Sequence, residues 1–365
     1  MFVETGFTPS LFNKDMFQPF WYTLKKTIIA LAPMAGVTDK AFRRICKEQG
    51  ADVIYTEFAS VDALLHGNDQ TREMISCTDF ERPVVVQLFG NEPKKFVRAC
   101  KIVESMGFDG IDINFGCPAY KVIKNGGGVA CMRNPALVRE IVQAACEAVD
   151  IPISIKIRAS INARITEQER LMDKSSAFQS APLLDKEGVG GGNITALDIV
   201  KSIQDLPVAA VMIHARSYEQ AFDGVPDLEM VKAIRPYVKG VLLANGGIHT
   251  PEDAKRTLDE TGADGVGIAR GAWGSPWMFR LIKDYMATGK YSMPDWDQKK
   301  EIILRHARLA LETKGDHGLI EMRKHLSHYM RGFSHASDMR QQLVSATSYK
   351  EIEDILYNRL FVNDR

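Results

Sequence analysis

The chain of 365 residues holds no uninterrupted run of about 18 uncharged apolar residues, so nothing in it reads as a membrane-spanning helix. Its first residues lack the charged-then-apolar pattern of a secretory signal, and Glu4 and Asp15 argue against a transit peptide. Cysteine is sparse. Cys46, Cys77, Cys100, Cys117, Cys131 and Cys146 include no C-x-x-C pair, which argues against a disulfide framework or a zinc site and suits a reducing cytoplasm. No metal is expected. Neither sign of charge prevails, since Lys plus Arg and Asp plus Glu each number 46, so the chain is not the broadly basic protein that unspecific nucleic-acid binding favours. No strand-like run opens into a G-x-G-x-x-G turn, which argues against a doubly wound dinucleotide fold.

Apolar residues, in contrast, make up 45% of the chain, enough for a full core. The length suits one large domain plus a smaller one. From Ile28 to about Tyr285 short apolar runs alternate with amphipathic stretches. The runs lie at 28–32, 52–56, 84–88, 110–113, 152–157, 208–213, 240–244 and 264–268. They are rich in Val and Ile and mostly apolar on consecutive residues, as buried parallel strands are. Helical spacing occupies Thr38 to Glu48, Pro93 to Ser105, Pro135 to Val149, Pro251 to Asp259 and Trp273 to Tyr285, three of them with Pro near the first turn. This alternation predicts an α/β fold, a TIM (β/α)8 barrel, over 28–293, preceded by an N-terminal extension at 1–27.

Two regions break the alternation. Residues 159–192 form a long polar excursion with Gly188, Gly190, Gly191 and Gly192, read as a mobile loop at the barrel mouth. Beyond Pro294 the strands stop, and Asp297–Leu311, Gly318–Met330, Met339–Ala346 and Tyr349–Leu360 predict a C-terminal all-helical domain over 294–365. Between Lys299 and Arg340 nine Lys or Arg face five Asp or Glu, and five of the eight histidines lie there. A solvated helical face accounts for such a stretch as well as a binding patch does.

Chemistry in such barrels sits at the C-terminal ends of the strands. Here those ends carry Pro33-Met34-Ala35-Gly36, Thr56-Glu57, Gln87, Asn114-Phe115-Gly116-Cys117-Pro118, Lys156 with Arg158, His214 with Arg216, Asn245-Gly246-Gly247, and Ala269-Arg270-Gly271. Packing explains any one of these, but not all eight. The last two loops, with glycine amides and Arg270, suit a phosphate. Lys156 near Gln87 suits a flavin ring, an amide for the pyrimidine edge and a cation for the charge that forms on reduction. A Schiff-base lysine is the rival reading. Cys117 follows a strand between Gly116 and Pro118 and is placed for chemistry. Cys46, Cys100 and Cys146 fall inside helical patterns and read as structural thiols.

With these residues in view, the chain resembles the tRNA-dihydrouridine synthases. Ala32-Pro33-Met34-Ala35-Gly36-Val37-Thr38-Asp39 is similar to their opening flavin loop. Asn114-Phe115-Gly116-Cys117-Pro118 with Lys121, Lys124-Asn125-Gly126 and Arg133-Asn134-Pro135 is similar to their active-site segment. Lys156-Ile157-Arg158, His214-Ala215-Arg216, Ala244-Asn245-Gly246, Gly274-Ser275-Pro276-Trp277 and Met322-Arg323-Lys324-His325 follow in the family's order, so the likeness runs from about Ile28 to Leu360. Gly247 stands where the family usually has Asp, and Ala269 where it usually has Gly.

The resemblance implies FMN as cofactor, NADPH as reductant and tRNA as partner, in a cytoplasmic enzyme expected to be a monomer. It implies that hydride passes from FMN to C6 of a uracil and that Cys117 protonates C5. Pro33, Met34, Ala35, Gln87, Lys156, His214, Asn245, Gly246, Gly247, Ala269 and Arg270 would bind FMN. Asn114, Arg158, Arg216, Arg323 and Lys324 would meet the substrate, a uridine turned out of folded RNA. The basic C-terminal helices would hold the RNA. Two alternatives stand beside this one. A dihydroorotate-dehydrogenase-like flavoenzyme acting on a free pyrimidine needs no helical platform. A non-catalytic RNA-binding protein needs neither Cys117 nor Lys156.

Overall fold

The computed structural model describes residues 20–163, 192–331 and 336–357. Its centre is a ring of parallel strands built from β1 (Ile28–Leu31), β2 (Val53–Ser60), β3 (Val84–Phe89), β4 (Gly110–Phe115) and β5 (Ile153–Asn162). After the short β6 (Asn193–Thr195) the ring continues with β7 (Ala210–Ser217), β8 (Val241–Asn245) and β9 (Gly265–Ile268). β4 pairs with β5, β5 with β7, and β9 with β1, which closes the barrel. Helices α1 (Lys40–Glu48), α2 (Pro93–Ser105), α3 (Pro135–Ala148), α4 (Ala196–Ile203), α5 (Leu228–Ile234), α6 (Pro251–Thr261) and α7 (Met278–Thr288) surround it. The TIM barrel read from the alternation is therefore the fold.

Several boundaries differ from the sequence reading, each for a local reason. α1 starts at Lys40 rather than Thr38, because Asp39 caps it, its carboxylate accepting from the Phe42 amide at 3.0 Å. α7 starts at Met278, five residues later than the periodicity suggests, since turns occupy 273–277. β2 runs on to Ser60, with a register shift against β3 between Tyr55 and Phe58. That irregularity sits at Thr56 and Glu57 and re-aims them. β5 runs on to Asn162 and pairs antiparallel with β6, so the excursion starts from a short ribbon. Residues 164–191, on which the expectation of mobility rests, lie outside the described residues.

The strands obey a period of two. One set of side chains packs outward with the helices: Val84, Val86 and Leu88 of β3, Ile111, Ile113 and Phe115 of β4, Ile153, Ile155 and Ile157 of β5. The other set points inward and changes character along the barrel. At the base it is apolar, with Ile28, Ala30, Val53, Tyr55, Val85, Ala210, Met212, Val241 and Leu243 in one cluster. Two residues further along β3, β7 and β8 it becomes Gln87, His214 and Asn245, and β4 and β5 add Asp112, Asn114 and Lys156 at the same end. A buried outer face keeps the runs apolar in the sequence, while the inner face can turn polar only where the barrel opens.

The expected extension also contributes to the barrel. A one-turn helix, Phe20–Thr23, delivers Trp21 into the inner apolar cluster, where it is 2% exposed and its ring lies 6.4 Å from that of Tyr55. Trp21 thus stops the base. Replacing it with alanine is expected to cost about 3–5 kcal/mol of stability. Denaturant unfolding of the variant checks this, and a loss below about 1 kcal/mol would show that the base collapses around the gap.

After the barrel come α8 (Trp296–Lys314), α9 (Asp316–Tyr329), α10 (Ala336–Ser345) and α11 (Tyr349–Tyr357). Their apolar faces share one cluster with Ala41 and Ile45 of α1 and Trp277 and Leu281 at α7, so the barrel completes the core of the helical part. α8 and α9 touch closely, because a Cβ on Gly318 would lie 2.1 Å from the Ala310 carbonyl oxygen. Among the described residues no helix is long and apolar enough to cross a membrane.

Candidate active site

The polar inner residues form a chain of hydrogen bonds that rises to the mouth. The Asp112 carboxylate accepts from the Ser154 hydroxyl at 2.7 Å and from the Gln87 amide nitrogen at 2.6 Å. The Gln87 oxygen accepts from the Asn114 amide nitrogen at 2.8 Å. The Asn114 oxygen then accepts from the backbone N–H of Cys117 at 2.8 Å and of Gly116 at 3.0 Å. Burial pushes the Asp112 carboxyl up to about 6, against the hydrogen bonds of Gln87 and Ser154 and the charge of Lys156.

Cys117 ends this chain, as its place after β4 predicts, and it is 8% exposed. Burial raises its thiol pKa, opposed by the Ala119 amide and the charges of Lys156 and Arg158. Near neutral pH the residue is a protonated thiol, able to give a proton. Cys131 is different. Its thiol donates to the Gly126 carbonyl at 3.1 Å, is buried, and is pushed up to about 12. A Cβ on Gly128 would meet the Cys117 carbonyl oxygen at 2.8 Å, so glycine there lets the 128–133 turn pack under the Cys117 loop.

Lys156, half-buried beside this group, is pushed down to about 8, first by burial and then by Arg158. Among the described residues its ammonium has no hydrogen-bond or ion-pair partner. His214 is driven down to about 2 by burial and by Lys156, Arg158, Arg216 and Arg270, so its imidazole is neutral. Its Nε2 faces the Arg216 guanidinium at 3.4 Å. Arg158 is 1% exposed and donates to the carbonyls of Gly116 at 2.9 Å and of Ser217 and Ala221 at 2.8 Å each. It braces the Cys117 loop against the loop after β7. Arg216 likewise donates to the Gly224 carbonyl at 3.0 Å.

Next to His214, after β8, Gly246 and Gly247 hold φ of 110° and 73°. A Cβ on Gly246 would meet the His214 ring at 2.8 Å, and one on Gly247 would meet Pro226 at 2.5 Å. Pro226 therefore admits only glycine where the family usually has Asp. Asn245 donates to the Gly267 carbonyl at 2.7 Å, and Arg270 is exposed, donates to the Phe222 carbonyl at 2.6 Å and lies over the Phe222 ring. Pro33, Met34 and Ala35 form the turn after β1, and Glu57 of β2 accepts from the Gly36 amide below them. An unpartnered ammonium, a neutral imidazole, two left-handed glycines and an exposed guanidinium line one mouth. This donor set fits a planar cofactor that carries a phosphate.

Arg323 and Lys324 lie apart from this set. Arg323 donates to the Ala346 carbonyl at 3.0 Å and holds the end of α10. Lys324 lies 3.7 Å from the Asp39 carboxylate, which also faces His325 at 3.7 Å. Asp39, His306 and His325 bring their polar atoms within 4.8 Å of one another, a group that could hold a metal ion, with the Lys324 ammonium as the cation beside it. Through Asp39, α9 is tied to the turn that follows β1.

Of the site residues that the sequence reading left unassigned, three differ in what the sequence showed of them. Asp112 carries a signal, a lone charge inside an apolar run. Glu57 was visible at a strand end without a role. Phe222, 51% exposed and shared by Arg158 and Arg270, carries none, because only the fold brings its loop to them.

A family model described as dihydrouridine synthase matches residues 30–181 and 186–362. The tRNA-dihydrouridine synthase B of Shewanella oneidensis is 33% identical over 91% of this chain and 96% of its own length. That of Pseudomonas aeruginosa is 32% identical over 88% and 89%. A probable tRNA-dihydrouridine synthase of Synechocystis is 30% identical over 89% and 84%. Among solved structures, a histamine dehydrogenase from Rhizobium sp. 4-9 aligns with a TM-score of 0.48 at 14% identity, covering 77% of this chain and 48% of that one.

Proposed function

The chain belongs to the dihydrouridine synthase family, and from that premise we propose that it reduces the C5=C6 bond of uridine in tRNA, with FMN as cofactor and NADPH as reductant. The observation that carries this reading is the Cys117 loop held at the mouth by Asn114 and Arg158, with Lys156 in register beside Asn114. When bound, FMN supplies the hydride that C6 accepts. Lys156 would lie against the flavin's pyrimidine edge and Gln87 below it. Gly246, Gly247 and Arg270 would receive the phosphate, and Pro33, Met34 and Ala35 would border the ring.

The residues then divide the work. C6 accepts hydride because the C5=C6 bond is conjugated with the C4 carbonyl, which leaves charge on C5 and O4. Cys117 gives its proton to C5 and is left as a thiolate, which Lys156 and Arg158 stabilise. Asn114 and Arg158 fix the loop from which that proton comes. A free pyrimidine would meet the same mouth, but it would leave the helices along α1 and α7 without a use. Purified protein given NADPH and unmodified tRNA should form dihydrouridine, mapped by mass spectrometry. A yellow protein that reduces dihydroorotate's oxidised form instead would favour the pyrimidine alternative.

The candidate cations of the C-terminal helices are more engaged than their sequence suggests. Lys300 pairs with Asp297, Arg305 with Glu48, and Arg308 with Tyr349. Arg331 is exposed, donates to His328 on α9, and so lies near Trp273, on which the His328 ring stacks at 3.7 Å. Arg331→Ala should lower the salt slope of tRNA binding by about one and leave flavin binding as it is. An unchanged slope would remove Arg331 from the RNA path.

A further inference from the structure

We propose that Asp112, below the mouth, is a positioning residue that sets the Cys117 loop through the side-chain amides of Gln87 and Asn114. The inference rests on the proposed role of Cys117 but adds a residue that touches neither the base nor the thiol. Its basis is the direction of each hydrogen bond. An ionised carboxylate only accepts, and a backbone N–H only donates. Between the Asp112 carboxylate and the Gly116 and Cys117 amides stand two side-chain amides, each with one accepting and one donating end. The series closes in one sense alone: Gln87 nitrogen to Asp112, Asn114 nitrogen to Gln87 oxygen, loop amides to Asn114 oxygen. Ser154 occupies the second Asp112 oxygen at 2.7 Å, so the carboxylate is fixed from both sides.

Gln87, Asp112, Asn114, Ser154 and Cys117 are buried and Gly116 partly so, so water does not replace a link lost among the side chains. Gln87, Asp112 and Ser154 occupy adjacent register positions on β3, β4 and β5. The strands therefore hold the lower end rigid, while the upper end reaches a loop. The groups that face Asp112 are Tyr55 from β2, Gln87 from β3, and Ser154 and Lys156 from β5. Lys156 is the charged one among them, and it binds Asp112 by no hydrogen bond.

Near-isosteric exchanges of oxygen for nitrogen test the idea without opening a cavity. Asn114→Asp keeps the acceptor for the loop amides but removes the donor to Gln87. Gln87 then has a carboxylate at each end, and whichever way it turns its oxygen meets an acceptor. Adding Asp112→Asn restores every link with the series reversed: the residue 112 nitrogen donates to Gln87, and Gln87 donates to residue 114. Asp112→Asn alone can keep the original sense, with its oxygen toward Gln87 and its nitrogen toward Ser154.

The experiment uses the flavin-loaded protein at about pH 8, where the carboxylates of a coupled pair are more nearly both ionised. It follows alkylation of Cys117 by iodoacetamide and hydrogen exchange at the Gly116 and Cys117 amides. Asn114→Asp should raise both rates roughly tenfold, and the double variant should bring them back near those of the native protein. Asp112→Asn alone should change them little. If the two substitutions simply add, or if Asn114→Asp leaves both rates unchanged, Asp112 does not position the loop. These readouts need no tRNA turnover. Failure of Cys117 as the acid would appear instead as undiminished dihydrouridine formation by Cys117→Ala, with the alkylation pattern of the other variants intact.

Discussion

Replacing Cys117 with alanine is expected to leave the fold, the yellow colour and tRNA binding in place while dihydrouridine formation falls by about 10²–10⁴-fold. The reason lies in the charge left after hydride reaches C6, which a proton at C5 must quench. Cys117 is held protonated by burial, and its loop is fixed by Asn114 and Arg158. Asp112, the nearest carboxyl in the same strand, is enclosed below by Gln87 and Ser154. Reduction of the flavin by NADPH does not involve the base and should proceed in the variant at the native rate. Cys131→Ala should lower turnover far less, because that thiol faces the Gly126 and Gly90 carbonyls inside the loop. Single-turnover oxidation of reduced enzyme by unmodified tRNA separates these cases. A native rate in Cys117→Ala would mean that another group delivers the proton.

Lys156→Met should weaken FMN binding about 10–100-fold, the scale of one lost hydrogen bond to a charged group. It should also make the potential of bound flavin more negative, since no cation then meets the anion formed on reduction. The pH dependence gives a second, independent reading. Burial holds the Lys156 pKa at about 8, below the ordinary 10.5. An anionic partner favours the charged form, so binding draws a proton onto Lys156 when the pH lies above about 8. Native FMN affinity should therefore fall as pH rises past that value, and the affinity of Lys156→Met should not. In the flavin-free protein the same shift has the opposite sign for stability. Between about 8 and 10.5 the unfolded chain binds the proton better than the folded one does, so stability rises with pH across that window. Titration of FMN fluorescence at several pH values measures the first effect, and thermal unfolding of the apoprotein the second. A pH-independent native affinity would place Lys156 away from the flavin.

By itself the sequence determined the barrel, because outer-facing Val and Ile make each buried strand apolar and the helices between them repeat at a different period. It determined the mouth too, since Gln87, Cys117, Lys156, His214 and Asn245 each lie near the C-terminal end of an apolar run or just after it, and polar groups inside a barrel are stable only where it opens. The Cys117 segment was legible as a motif because its chemistry depends on neighbours in the chain. What the tertiary structure decided is which of these groups meet, and in what state. Asp112, Gln87, Asn114 and Ser154 come from three strands, and the direction of their hydrogen bonds exists only once β3, β4 and β5 stand in register. Arg158 and Arg323 both read as substrate contacts in the sequence, yet each is drawn onto backbone carbonyls distant in the chain. Trp21 precedes the barrel in the sequence and closes its base in the fold. Periodicity records which face of an element is buried. It does not record the partner across the gap, and burial beside that partner is what sets a hydrogen bond's direction and a proton's affinity.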